Sequence, residues 1–179
     1  MIGFVNIGKN VAELALAFGM SIFVYDPFFD PAEGERHGVS FQELANLLAD
    51  SDIISLHCAL TPETRLLIGA TEFKQMKPGV YLINAARGGL IDEDALLAAA
   101  QAGTIAGAAL DALAEEPPGN RKLIDHPNII VTPHIAGWGV DAGRNMCIGA
   151  AEQVVQVLAG STPTHAINEP LQPRNAKTG

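Results

Sequence analysis

Near the start of the chain, Gly3-Phe4-Val5-Asn6-Ile7-Gly8 stands between an apolar start and a helical stretch. The spacing is G-x-x-x-x-G, and glycine at position 5 would make it G-x-G-x-x-G. In dinucleotide folds the first glycine allows the tight turn, the second lets the backbone approach a pyrophosphate, and the third lets helix pack on strand. Asp26, 18 residues past Gly8, closes a β-branched run and is spaced to accept hydrogen bonds from a ribose diol. Its charge would repel a 2′-phosphate, so the pattern points to NAD rather than NADP. Val5 departs from it, with a branched side chain where the pyrophosphate would approach. Read alone, the turn fits a plain strand-turn-helix of another α/β protein equally well.

Other reactive types are sparse. Cys58 and Cys147 are the only cysteines, far apart and without metal-ligand spacing, which fits a reducing cytoplasm and gives no metal site. His37, His126 and His165 carry no pattern and read as structural. The 20 acidic residues outnumber the 11 basic ones, a formal net charge of −9. A nucleic-acid reader needs a basic face, and an acidic chain gains nothing from anionic lipid. No apolar run reaches the ~18 residues that span a bilayer. Met1-Ile2-Gly3 has no basic start of the signal-peptide kind.

These residues need a scaffold, and the chain supplies an alternating one. Ser21–Tyr25, Ser51–His57, Val80–Ile83, Ile105–Leu110 and Asn128–Val131 read as strands, mostly apolar on both faces as in a buried parallel sheet. Between them lie helical patterns at Lys9–Phe18, Ala70–Met76 and Asp92–Gln101, and a final one at Val140–Leu158. Ser40-Phe41-Gln42-Glu43 reads as a capping box that opens another helix, to about Leu48. β-α alternation of this kind predicts an α/β, doubly wound parallel sheet of Rossmann type. Its strand order should reverse beside the Gly3–Gly8 turn. The first strand, with only Met1 and Ile2 ahead of the turn, is truncated. Val24, Ile54, Leu56, Leu82, Ile83, Leu110 and Ile130 are the expected core. Residues 1–160 form the expected cofactor domain and 161–179 an exposed C-terminal tail.

Four segments are more specific. They are Asn84-Ala85-Ala86-Arg87-Gly88-Gly89-Leu90-Ile91-Asp92-Glu93-Asp94-Ala95-Leu96, Leu56-His57-Cys58-Ala59-Leu60-Thr61-Pro62-Glu63-Thr64, the stretch from Ala106 through Asp111 to Glu116-Pro117, and Thr132-Pro133-His134-Ile135-Ala136-Gly137. In type, order and spacing they resemble the D-isomer-specific 2-hydroxyacid dehydrogenases, over nearly the whole chain.

The resemblance implies a catalytic set of Arg87, Glu116 and His134. The chemistry is consistent with that. A 2-keto acid needs a cation for its carboxylate, and Arg offers a planar fork. It needs a proton donor at the carbonyl oxygen, and His can give and retake that proton near neutral pH. A carboxylate beside the imidazole fixes its tautomer. The resemblance also implies an NAD site. Gly3, Asn6, Ile7 and Gly8 would lie at the pyrophosphate and Asp26 at the ribose. Cys58, Ala85, Ala86 and Arg87 would line the crevice, Asp111 would accept from the nicotinamide carboxamide, and His134 and Gly137 would close the site. All follow strands, at the carboxyl edge where such sheets bind ligands.

The family's N-terminal, flavodoxin-like substrate domain is absent from this sequence. Two readings therefore stand. One is an NAD-dependent oxidoreductase, acting on a small 2-keto or 2-hydroxy acid, present here as a cofactor domain without full activity and expected to form a homodimer through that domain. The other is a non-catalytic binding or interaction module that keeps the fold, for which Val5 speaks.

Overall fold

A computed structural model describes residues 1–166. Met1–Ile135 forms one compact unit, and a second begins at Ala136. In the first unit, α1 (Asn6–Ala17) is followed by β1 (Phe23–Val24), α2 (Pro31–Arg36), β2 (Ser40–Phe41) and α3 (Leu44–Asp50). Then come β3 (Ile53–Leu56), α4 (Ala70–Gln75), β4 (Val80–Asn84), a 3-10 turn (Gly88–Leu90), α5 (Glu93–Gln101), β5 (Ile105–Leu110) and β6 (Ile129–Val131). Among the described residues every strand pairing is parallel, β1 with β2 and β3-β4-β5-β6 in order. Ile2 joins the two groups, bridging Tyr25 on one side and Leu56 on the other. The backbone bonds Ile2 N–H to Ser55 O (2.9 Å) and Gly3 N–H to Tyr25 O (2.8 Å) run to opposite neighbours. Strand order thus reverses at Ile2, immediately before the glycine turn, and the first strand is as short as expected.

Two apolar clusters hold the sheet. On one face Ile54, Leu56, Leu82 and Leu110 pack with Leu47 and Leu48 of α3, Phe73 of α4 and Leu96 of α5. On the other, Met1, Phe4 and Val24 pack with Ala12 and Leu16 of α1. Full burial of such side chains contributes roughly 1.5–3 kcal/mol each.

Three expectations need correction. Ile83 and Ile130 are not core: they are 37% and 67% exposed. Side chains alternate along a strand, and β4 alternates buried and exposed over its length, so Tyr81 and Ile83 lie on the face opposite α3, α4 and α5. For the same reason β3 to β6 are not buried on both faces. Second, Ser40 does not cap a helix. Its N–H donates to Ile22 O and that of Gln42 to Val24 O, which makes Ser40–Phe41 an edge strand. Phe41 stacks on Phe29 at 5.3 Å and meets Phe4 edge-on at 5.8 Å. This packing outweighs the local capping signal, and α3 starts only after Glu43. Third, α1 begins at Asn6 rather than Lys9, so Asn6 and Ile7 form its first turn. The sequence reading also lacked α2.

The second unit holds α6 (Val140–Leu158), with the bounds expected. Past it, the N–H groups of Thr164 and His165 donate to the side-chain oxygens of Gln156 and Gln153. The part of the expected tail from 167 to 179 lies outside the described residues.

Candidate active site

The glycine turn is built as the dinucleotide spacing requires at two of its three positions. Gly3 has φ +92°, and a Cβ there would stand 2.6 Å from the Cys58 backbone nitrogen. A Cβ on Gly8 would stand 2.5 Å from Gly3 O, so helix and turn are in contact through that glycine. Val5 precedes α1 in extended conformation, φ −93° and ψ −167°, which needs no glycine, and its side chain is more than half exposed. No side chain caps the helix. The first N–H groups of an α-helix lack intrahelical acceptors, so the α1 N-terminus suits an anionic group.

Beside it lies a cleft of about 410 Å³ whose lining includes Gly3, Val5, Asp26, Phe28, Cys58 and Thr61. Asp26 Oδ2 accepts from Phe4 N–H (2.8 Å) and Oδ1 from Phe28 N–H (3.0 Å), so this carboxylate also fixes the turn. Cys58 is half-buried, and burial pushes its thiol up, the opposite of nucleophile activation. These features fit a dinucleotide: a glycine turn without room for side chains, uncapped helix amides and an acid at the cleft.

The second group of residues follows three neighbouring strands, β4, β5 and β6, at their carboxyl ends. Asn84 ends β4 and is buried. Its Nδ2 donates to Arg87 O (2.9 Å) and its Oδ1 accepts from Ala86 N–H (3.0 Å), closing the turn that carries Arg87. Arg87 is exposed, donates from Nη1 to Ala86 O (2.6 Å) and forms no ion pair among the described residues. Ala85 is exposed and Ala86 half-buried beside it.

Glu116 and His134 meet directly. Nδ1 of His134 lies 2.8 Å from Oε2 of Glu116, and Glu116 Oε1 accepts from Leu113 N–H at 2.9 Å. Glu116 is held below the ordinary carboxylate range, first by the His134 hydrogen bond and then by the Leu113 amide. An ionised carboxylate only accepts, so Nδ1 carries the proton and Nε2 is left for other partners. His134 has φ +54°, a conformation that costs a non-glycine residue energy and persists only when the surroundings impose it. Asp111 imposes it. Its main-chain oxygen accepts from His134 N–H (2.9 Å), while Oδ1 takes the Ile135 N–H (2.9 Å) and the Thr132 hydroxyl (2.5 Å).

The structure thus brings Glu116, His134 and Asp111 into one bonded group and Gly3, Asp26 and Cys58 into one cleft. Gly137 lies in the second unit, where a Cβ would meet nothing within 4 Å. The anchoring roles of Asn84 and Asp111 escaped the sequence reading. For Asn84 the signal was local, because Asn readily bonds backbone a few residues on.

Residues 1–136 match the NAD binding domain of the D-isomer specific 2-hydroxyacid dehydrogenases. The chain belongs to that family. This D-2-hydroxyacid dehydrogenase domain is 41% identical over 175 residues to D-3-phosphoglycerate dehydrogenase of Bacillus subtilis, covering 98% of this chain and 33% of the relative. It is 41% identical over 163 residues to glycerate dehydrogenase of Methylorubrum extorquens, covering 89% of this chain and 49% of that one. Among solved structures it resembles D-lactate dehydrogenase of Lactobacillus jensenii with NAD+, with TM-score 0.86, 34% identity, and 94% and 54% of the two chains covered. The dehydrogenase domain thus spans a third to about half the length of these relatives. No described helix is long and apolar enough to cross a membrane.

Proposed function

We propose that this chain is the cofactor-binding part of an NAD-dependent oxidoreductase that interconverts a small 2-keto acid and the corresponding D-2-hydroxy acid. The observation that carries the reading is the Glu116–His134 hydrogen bond, held beside the Arg87 turn at the carboxyl edge of a sheet. Bound NAD would supply the hydride donor or acceptor. Gly3 and the amides of Asn6, Ile7 and Gly8 would hold its pyrophosphate, Asp26 its ribose and Asp111 its carboxamide, with Cys58, Ala85 and Ala86 along its length.

Arg87 would bind the substrate carboxylate, for which its guanidinium has no competing acid among the described residues. His134 would pass a proton from Nε2 to the keto oxygen during reduction and take it back during oxidation. Glu116 would hold the proton on Nδ1 and fix the orientation of the ring, leaving Nε2 for the substrate. We also place the protein in the cytoplasm, on its cysteine usage, as a homodimer through this domain. Val5 in the cleft favours a second reading, a non-catalytic module that keeps the fold. NADH titration by calorimetry decides between them: saturable binding lost in Asp26→Ala supports the first, and no binding by a folded chain supports the second.

A further inference from the structure

Glu93 opens α5, yet its carboxylate does not cap that helix. Asp92 is the cap, with Oδ1 accepting from Ala95 N–H at 3.0 Å. Glu93 Oε1 instead accepts from Ala114 N–H at 2.6 Å, 21 residues further along the chain. Ala114 sits in the exposed loop that follows β5 and leads to Glu116. Two successive amides of that loop are therefore bonded to carboxylates, Leu113 to Glu116 and Ala114 to Glu93. Bonds from amides to ionised acceptors are the stronger kind.

The same loop presses on the Arg87 turn. A Cβ on Gly88 would stand 1.9 Å from Leu113 C and 2.2 Å from Ala114 N, so the two backbones touch with room for nothing but hydrogen. Asn84 fixes the Arg87 turn from below. Glu93 follows that turn in sequence and reaches across to the loop, and so ties the strand end that carries Arg87 to the one that carries Glu116.

We propose that Glu93 is a positioning residue for the Glu116–His134 pair, pinning the Leu113–Glu116 loop against the Gly88 turn so that Glu116 meets His134. The assignment of that pair to proton transfer is the reading given above; the positioning itself is testable without turnover.

The test is the titration of the Glu116 carboxyl carbon by NMR in this chain, labelled at glutamate, with circular dichroism to check the fold. Glu93→Ala should raise the Glu116 midpoint toward that of an ordinary carboxylate. Glu93→Gln keeps an acceptor oxygen and should restore most of the original midpoint. His134→Ala should raise it too, and adding Glu93→Ala to it should then change little. A folded Glu93→Ala protein with an unshifted Glu116 overturns the proposal. Should Glu93→Ala not fold, the Ala114 amide of the unaltered protein decides: exchange slowed by at least about tenfold supports the clamp, and exchange at the unprotected rate overturns it. Loss of the dehydrogenase reading would leave these outcomes unchanged.

Discussion

Glu116 and His134 lie 18 residues apart in sequence, after different strands, and their side chains meet at 2.8 Å. Parallel pairing of β5 with β6 brings the two strand ends together, and the Asp111 contacts turn His134 into reach. Because Glu116 is held below its ordinary range, it contributes stability that is fully present above the unfolded-state value near 4.3 and is lost as pH falls through the lower folded value. Glu116→Gln should therefore lower Tm near pH 7 by more than it does near pH 3. Thermal melts of the two proteins across that range check this; a difference independent of pH would count against an ionised Glu116 as the partner.

Val5 should weaken dinucleotide binding. Its side chain lines the cleft beside Gly3 and Asp26, where a smaller residue leaves room for the pyrophosphate. Val5→Gly should tighten NADH binding about ten- to a hundredfold, or roughly 1–3 kcal/mol. Calorimetry measures it, and equal affinity of the two proteins would remove Val5 as an obstacle.

Expressed by itself, this chain should turn over 2-keto acids at less than about 1 per second. Arg87 is exposed and, in the proposed role, would grip a carboxylate from one side only, so the keto carbon would be poorly held, and positioning can supply several kcal/mol of the barrier. Open solvent also screens the contacts of Arg87 and of the Glu116–His134 pair. NADH oxidation with hydroxypyruvate, glyoxylate, pyruvate and 3-phosphohydroxypyruvate is the assay. Faster turnover that His134→Ala abolishes would show that closure from outside this chain is unnecessary.

Truncations in the sheet should separate its two faces. Leu56 is fully buried among α3, α4 and β4 neighbours, so Leu56→Ala should cost about 2–5 kcal/mol. Ile130, two-thirds exposed, should cost no more than about 0.5 kcal/mol when truncated to Ala. Urea unfolding measures both, and a large loss at Ile130 would mean that this face is covered in solution.

Gly88→Ala should destabilise the first unit by about 1–3 kcal/mol, because its Cβ has no free space beside Leu113 and its neighbour Ala114. Gly137→Ala, with open space around it, should change stability by less than about 0.5 kcal/mol. The urea midpoints of the two variants give the comparison.

The sequence by itself determined the alternation of strands and helices, the NAD-type turn with its valine, and the family segments that carry Arg87, Glu116 and His134. These features are written in short windows: period-two and period-3.6 apolar spacing, glycines where a Cβ would collide, and contiguous motifs. Only the tertiary structure decided which long-range partner each polar group takes. Asp111 anchors His134, Glu93 reaches Ala114, and Ser40 joins β1 instead of capping a helix, since each choice depends on which strands are neighbours. The same holds for burial. Ile83 and Leu82 are adjacent and similar in type, yet only Leu82 is buried, because α3, α4 and α5 pack on its face of the sheet and not on the other.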